Sequence, residues 1–527
     1  MLELAPQNAA IKAKVLEGLS GLIDRSSFIL GENVKGLEAE ISAYAGAAHA
    51  VGMSSGTDAQ LAALMALGIG SGDEVIVPSF TFFATAGVVS RLGARPVFID
   101  LDPATFNASG ALVEAAITPR TKAIMPVHLF GQLADMPGIM AVAAKHGIPV
   151  VEDACQSLGA QGWGKSAGQF GDMTAYSFYP TKNLGAFGDA GMTAIRDDAA
   201  LAARVRRIRV HGMEPVYMHH EVGMNGRMDE FQALVLRAKL PMLDGWHAGR
   251  RRHAAWYLER MKGLTADEVI LPLEVVPDGR HIYNQFTIRV KGGKRDALHA
   301  HLKERGIGCA IYYPICLHEQ PCFRDLGYQT GQLPESELAA KEVLSLPVYP
   351  EMTEVMREEV AGAILGFFGK KQAVPRTASS LPEHGSSIHP GVQGLLGGLR
   401  DLRELDADAD QLQGIAPGPP TQHVGDGGPE GRLGQFRVQQ DKPLDHGAPL
   451  EEAGIPESDQ GKAAPRAYVG DADIAVVMST QGEGDGEVRS DDDAPGVASI
   501  GVAAHSGLVK REILAWVSAD PRLDWTF

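Results

Sequence analysis

Hydrophobic positions divide the chain into stretches of different period. Ile11, Val15, Leu19 and Leu22 recur at helical spacing, and Val34, Leu37, Ile41 and Tyr44 repeat the pattern, so residues 1–50 predict two amphipathic helices. From 49 to about 195 short continuous apolar runs take over. Residues 49–53, 74–78, 96–100, 122–127, 149–153, 173–178 and 192–195 are strand candidates, several rich in Val and Ile without alternation, as strands buried on both faces are. Helical stretches such as 58–67 and 136–146 lie between them. The alternation predicts an α/β fold with a mainly parallel sheet.

Residues 199–210 and 229–243 read as helices, the second with Phe231, Leu234, Val235, Ala238 and Leu240 on one side. Farther on, a helix at 250–262, an alternating strand at 283–290 and helices at 295–305 and 352–368 predict a smaller α+β domain. The expected division is a large domain over 1–245, a small one over 246–372 and a tail over 373–527. The tail is acidic and rich in Gly and Pro, with weak periodicity until 508–517. Too little apolar surface to offset the entropy of ordering predicts low order there.

Composition excludes some classes. The 527 residues carry 48 Lys plus Arg against 65 Asp plus Glu, a net charge of −17, which argues against a nucleic-acid surface. Cys155, Cys309, Cys316 and Cys322 show no CxxC spacing, which suits a reduced cytoplasmic protein better than a disulfide framework or a zinc site. The N-terminus lacks the basic start and apolar run of a signal peptide, and no stretch reaches the ~18 apolar residues of a membrane span. The expectation is a soluble cytoplasmic protein with no metal, nucleic-acid or membrane partner.

The chemistry centres on Lys182, in Ser177-Phe-Tyr-Pro-Thr-Lys-Asn-Leu-Gly185 after an apolar run. Upstream, Asp153 ends the apolar run of Val150-Val-Glu-Asp-Ala-Cys-Gln-Ser157. An acid at a strand end and a lysine in a tight, hydroxyl-rich loop are what pyridoxal phosphate requires. The lysine amine condenses with the cofactor aldehyde, and the carboxylate keeps the pyridine nitrogen protonated. Taken singly, a loop lysine is usually a solvated charge and a strand-end aspartate a turn former.

Ser54-Ser-Gly-Thr-Asp58 opens a helix, whose free N–H groups and dipole suit a phosphate beside Gly56 and Thr57; the same residues also read as a plain N-cap. Ser177 is a second phosphate donor or a polar strand end. An aromatic at the strand end 78–85 can stack on a flat heterocycle or pack in the core, and Phe80 and Phe83 read as core. Gln156 could meet the cofactor's phenolic oxygen or cap a turn. Residues 223–230 read as a turn and cap with Asp229 as a first-turn acid, and His318, in the loop 312–318, reads as structural or solvated.

In combination the segments resemble the DegT/StrS-type nucleotide-sugar aminotransferases. The resemblance runs from about residue 3 to 370. It rests on Ser-Gly-Thr-Asp at 55–58, Pro-Ser-Phe-Thr-Phe at 78–82, Pro-Val-His-Leu-Phe-Gly at 126–131, Glu-Asp-Ala-Cys-Gln-Ser at 152–157, the Lys182 segment, Gly-Asp-Ala-Gly at 188–191, Asn-Gly-Arg-Met-Asp-Glu at 225–230 and Tyr-Tyr-Pro-Ile-Cys-Leu-His-Glu-Gln-Pro at 312–321. It implies the aspartate-aminotransferase fold (pyridoxal phosphate fold type I) and a homodimer with active sites at the subunit interface.

By motif position it implies that Lys182 is the cofactor-linked lysine and proton shuttle. Asp153 pairs with the pyridinium nitrogen, Phe82 stacks on the ring, and Gln156 lies near the ring hydroxyl. Gly56, Thr57 and Ser177 hold the phosphate, joined by Asn225 of the partner subunit. Arg227, Tyr313 and His318 fall at the sugar nucleotide. The expected donor is glutamate and the acceptor a nucleotide-linked keto sugar.

Residues 116–124 and 211–220 look like those of bacterial surface-polysaccharide enzymes aminating C3 of a UDP-linked 3-keto-hexuronic acid, with Arg227 facing the carboxylate. One branch of the family has His in place of the lysine and removes a hydroxyl; Lys182 favours transamination over that dehydratase chemistry. A pyridoxal-phosphate-binding regulator and a chain made inactive by its tail are the remaining alternatives. Cys155 stands where Ala is frequent, and Cys316 where Pro is.

Overall fold

The computed structural model describes residues 3–370 and three strands farther along, and the chain divides into two units, Met1–Ser387 and Ile388–Phe527. In the first unit, α1 (Ala5–Arg25) buries Ile11, Val15 and Leu22, and α2 (Glu32–Ala45) buries Val34, Leu37 and Ile41. These are the apolar stripes of the predicted amphipathic helices. The start of α2 is capped from afar. Asn33 and Val34 donate their backbone N–H groups to the Glu230 carboxylate at 3.0 and 2.9 Å.

The chain then alternates through β1 (His49–Met53), α3 (Gly56–Ala66), β2 (Glu74–Pro78), α4 (Ala84–Arg91), β3 (Arg95–Ile99), α5 (Gly110–Ala116), β4 (Thr121–Ile124), α6 (Met136–His146) and β5 (Val151–Asp153). A short ribbon, β6 (Gln161–Gly162) and β7 (Lys165–Ser166), leads to β8 (Met173–Ser177) and β9 (Gly191–Ile195). The strands form the series β1-β9-β8-β5 and β3-β2-β4, and the parallel bridges Ile124–Val150 and Val127–Asp153 join the two into one sheet. Only β9 runs antiparallel to its neighbours within it.

Continuous apolar strands are explained by cover on both faces. Ile76 packs with Leu37, Val113 and Ile139, whereas its neighbours Val75 and Val77 pack with Leu64, Val88 and Val205.

Helices α7 (Ala199–Ile208), α8 (Glu230–Lys239) and α9 (Leu243–Met261) follow. Then come β10 (Val269–Ile270), β11 (Phe286–Val290), α10 (Arg295–Glu304), α11 (Pro334–Glu342), β12 (Val343–Leu346) and α12 (Glu354–Phe367). The antiparallel sheet β10-β11-β12 has its own core, including Tyr257, Phe286, Leu298 and Ile364. The boundary expected at 245 falls inside α9, whose far half contributes Ala254, Tyr257 and Met261 to that core. Among the described residues no helix is long and apolar enough to cross a membrane.

In the second unit β13 (Tyr468–Val469), β14 (Ile474–Ser479) and β15 (Ser499–Ala504) form an antiparallel sheet in a stretch where no strand was expected. Apart from these strands, the expectation of low order from 373 onward, and the periodic stretch at 508–517, lie outside the described residues.

Candidate active site

Strands β1, β2, β5 and β8 end on the same edge of the sheet, where ligands bind in open α/β folds. α3 begins there, directly after β1. Its N-cap Ser55 accepts the Asp58 N–H at 3.0 Å, and the first N–H groups of a helix have no acceptor within it. A Cβ on Gly56 would stand 2.6 Å from Ser177 Cβ and 3.0 Å from Cys155 Sγ. Only glycine lets the helix start approach the ends of β8 and β5 this closely. Thr57 and Ser177 remain half-buried beside it.

Asp153, buried at the end of β5, accepts the Thr85 hydroxyl at 2.8 Å and the Cys155 N–H at 3.2 Å. Thr81 in turn lies 3.2 Å from Thr85. Gln156 accepts the Phe130 N–H at 2.7 Å and donates to the Tyr313 hydroxyl at 3.1 Å. The Tyr313 ring centroid is 6.3 Å from that of Phe82, which is 57% exposed. Burial, then the negative charge of Asp153, push the Tyr313 hydroxyl pKa up, so it stays protonated.

Lys182 crowns the turn after β8. Its N–H donates to Tyr179 O at 2.8 Å, and the Ala186 N–H returns to Phe178 O at 2.8 Å. Its side chain lies within electrostatic reach of Cys155 and Asp153. Desolvation lowers its pKa, against the opposing pull of those two groups. The Cys155 thiol pKa is pushed well up, by burial first and by Asp153 next.

Gly56, Ser177, Asp153, Gln156, Lys182, Tyr313 and Phe82 thus gather at one edge. Asn225 and Arg227 lie alongside, on a segment bridged to Met53 and receiving the Ser54 N–H at Gly226 O, 2.8 Å. Asn225 is exposed and Arg227 half-buried, and no hydrogen bond ties either side chain to the Lys182 cluster.

Two expectations change, and a third residue is located. Phe83 is not core: it is 46% exposed and stacks on Phe323. Asp229 is the N-cap of α8 but makes no side-chain cap bond. His318, which its loop reads as structural or solvated and the resemblance puts at the sugar nucleotide, is buried with both ring nitrogens engaged, by Ser79 at 2.6 Å and Glu337 at 3.3 Å. Thr85 was missed; a hydroxyl one helical turn beyond Thr81 at a strand end was its signal in the sequence.

The same holds for the floor under Asp153. Glu152 accepts hydrogen bonds from His128, Gly168, Phe170, Gly171 and Thr174. Burial pushes its pKa up, but His128 and the backbone N–H groups prevail and hold it below the usual range.

The donors suit pyridoxal phosphate. A glycine cradle at a helix start could take a phosphate, a buried carboxylate could take a ring nitrogen, and a desolvated lysine lies within electrostatic reach of that carboxylate. A family model, DegT/DnrJ/EryC1/StrS aminotransferase family, matches residues 9–365. The chain belongs to that family. Its cofactor is pyridoxal phosphate.

Among similar relatives, a protein of Geobacillus stearothermophilus named pleiotropic regulatory protein is 52% identical, over 70% of this chain and 98% of its own. UDP-N-acetyl-3-dehydro-alpha-D-glucosamine 3-aminotransferase of Acidithiobacillus ferrooxidans is 48% identical, over 69% of this chain and 96% of its own. The solved structure of S. venezuelae DesV in complex with a ketimine intermediate is 40% identical, with a TM-score of 0.67, covering 69% of this chain and 97% of that one. This family member therefore has the fold of pyridoxal phosphate sugar aminotransferases.

Proposed function

We propose that this aminotransferase moves an amino group from glutamate to C3 of a UDP-linked 3-keto sugar, as a cytoplasmic homodimer supplying amino sugars for surface polysaccharide. The observation that carries the amine-transfer chemistry is Lys182 lying within electrostatic reach of Asp153, at the sheet edge where Gly56 and Ser177 meet. The nucleotide and position are supported by the 48% identical Acidithiobacillus relative. The cytoplasmic reading is supported by four cysteines that are all free.

Bound pyridoxal phosphate supplies an electron-accepting ring that stabilises negative charge at the carbon losing its proton. Asp153 would hold a proton on the ring nitrogen, with Thr85 fixing the carboxylate. The N–H groups opening α3, with Thr57 and Ser177, would hold the phosphate. Phe82 would cover the ring face, and Gln156 would meet the ring hydroxyl. Lys182 Nζ, its pKa lowered by desolvation, would take the proton from the donor's α-carbon. In the second half-reaction it delivers one to the sugar carbon that receives nitrogen. Asn225 of the partner subunit would complete the phosphate site. Arg227, which takes part in none of the described ion pairs, would meet a carboxylate if the sugar is a hexuronic acid. Tyr313 would line the sugar side.

The test is a visible absorption spectrum of the purified protein before and after glutamate. The expected result is a cofactor band that bleaches with glutamate and returns with a UDP-linked 3-keto sugar. A band indifferent to every amino acid would contradict the proposal and favour a regulator, a reading consistent with the name of the Geobacillus relative.

A further inference from the structure

Lys239, the last residue of α8, is 2% exposed. Its ammonium donates to Gly185 O at 2.8 Å and stands 4.9 Å from the centre of the Phe187 ring. No described ion pair gives it a carboxylate, and burial lowers its pKa to about 8. A buried amine without a counter-charge costs stability.

What it holds is the return limb of the Lys182 turn. That limb folds back so tightly that a Cβ on Gly185 would overlap the Pro180 carbonyl. Two further tethers grip it. The Phe187 N–H donates to Gln232 Oε1 at 2.9 Å, and the Asn183 side chain donates to Ile282 O at 3.2 Å. Gln232 and Lys239 both project from α8. The segment leading into α8 receives the Ser54 N–H at Gly226 O, beside the phosphate cradle. One stretch of chain therefore contacts both the phosphate end and the lysine end of the site.

We propose that Lys239 is a positioning residue that fixes the turn carrying Lys182 and so presents the Lys182 amine to the cofactor in one place. This rests on Lys182 being the cofactor-linked lysine. Alternative placements of that amine cost reaction rate, because displacing a reacting group by about 1 Å can cost about 100-fold.

The variant Lys239→Met keeps the length and loses the donor and charge. In the full-length protein it is expected to melt at the same or a higher temperature, since a desolvated cation is removed. At the same time the apoprotein should regain its visible band with added pyridoxal phosphate about 10- to 100-fold more slowly, and kcat should fall with little change in the KM for glutamate. Lys239→Arg, which restores a cationic donor, should recover part of the loss. A Met variant that regains the band and turns over like the native protein overturns the proposal. If Lys239→Met does not fold, Gln232→Ala carries the test, because it releases the other α8 tether on the same limb; native band formation there overturns the proposal equally. Lys182→Ala, measured in parallel, separates the two claims. If its band of lysine-linked cofactor persists, the Lys182 reading itself fails. If that band is lost while Lys239→Met behaves as native, only the positioning role fails.

Discussion

Glu152 and Asp153 are neighbours on β5, yet they live in opposite environments. Strand alternation sends them to opposite faces. Glu152 is closed in by five donors that all come from this chain. Asp153 receives only Thr85 and Cys155 and faces the Lys182 side. The loop that leads to Asn225 is still more open, with Tyr217 and Val222 each 89% exposed. The floor of the site is finished by the fold alone, while its mouth keeps unspent hydrogen-bonding and apolar surface for cofactor and substrate.

The sharpest way to break this contrast is to remove the amine at the mouth. Lys182→Arg is expected to lower steady-state amine transfer by about 10⁴-fold while leaving thermal unfolding unchanged, because no packing depends on the Nζ. Normal turnover in that variant would contradict its role.

The paired carboxylates should then separate stability from rate. Glu152→Gln is expected to cost about 3 kcal/mol in denaturant unfolding, because it breaks a fully buried charged network. Asp153→Asn should change stability by less than about 1 kcal/mol and lower turnover by about 100-fold. Equal effects of the two on both quantities would erase the distinction between floor and mouth.

Acid should attack the closed regions next. His247 and His281 are buried neutral, each with its pKa lowered from 6.5 to about 3, chiefly by desolvation. The folded state therefore binds their protons less well than the unfolded state. The stability they confer is fully present above pH 6.5 and is lost as pH falls from there toward 3, by about 1.4 kcal/mol per pH unit for each histidine. Urea midpoints at pH 7 and pH 5 check this, and a protein equally stable at both would contradict it. The smallest stability effect belongs to the exposed loop before Asn225. Tyr217→Ser should cost less than about 0.5 kcal/mol, yet weaken the proposed dimer in sedimentation.

The division between floor and mouth also marks what could be read from the sequence. Lys182, Asp153, Gly56 and Ser177 are legible because their chemistry is local: a strand end, a helix start and a tight turn. The parallel sheet is legible because burial on both faces makes its strands continuously apolar. The supports are not. Glu230 caps α2 across 197 residues, and Lys239 reaches Gly185 across 54. Both pass as ordinary charged positions on an amphipathic helix, since nothing near them in sequence signals the partner. Phe83 was misplaced for a related reason: an aromatic beside a strand end carries no mark of whether a neighbour such as Phe323 covers it fully or in part. His318 likewise shows its burial only once Ser79 and Glu337 close around it.

The measurement that bears most directly on the site is borohydride reduction of the cofactor-loaded protein followed by peptide mass spectrometry. Reduction makes the link between lysine and cofactor permanent. The expected result is a phosphopyridoxyl group on Lys182 alone. Modification of Lys239, the other lysine of lowered pKa beside that turn, or of no lysine at all, would contradict the assignment of Lys182 as the residue that carries the cofactor.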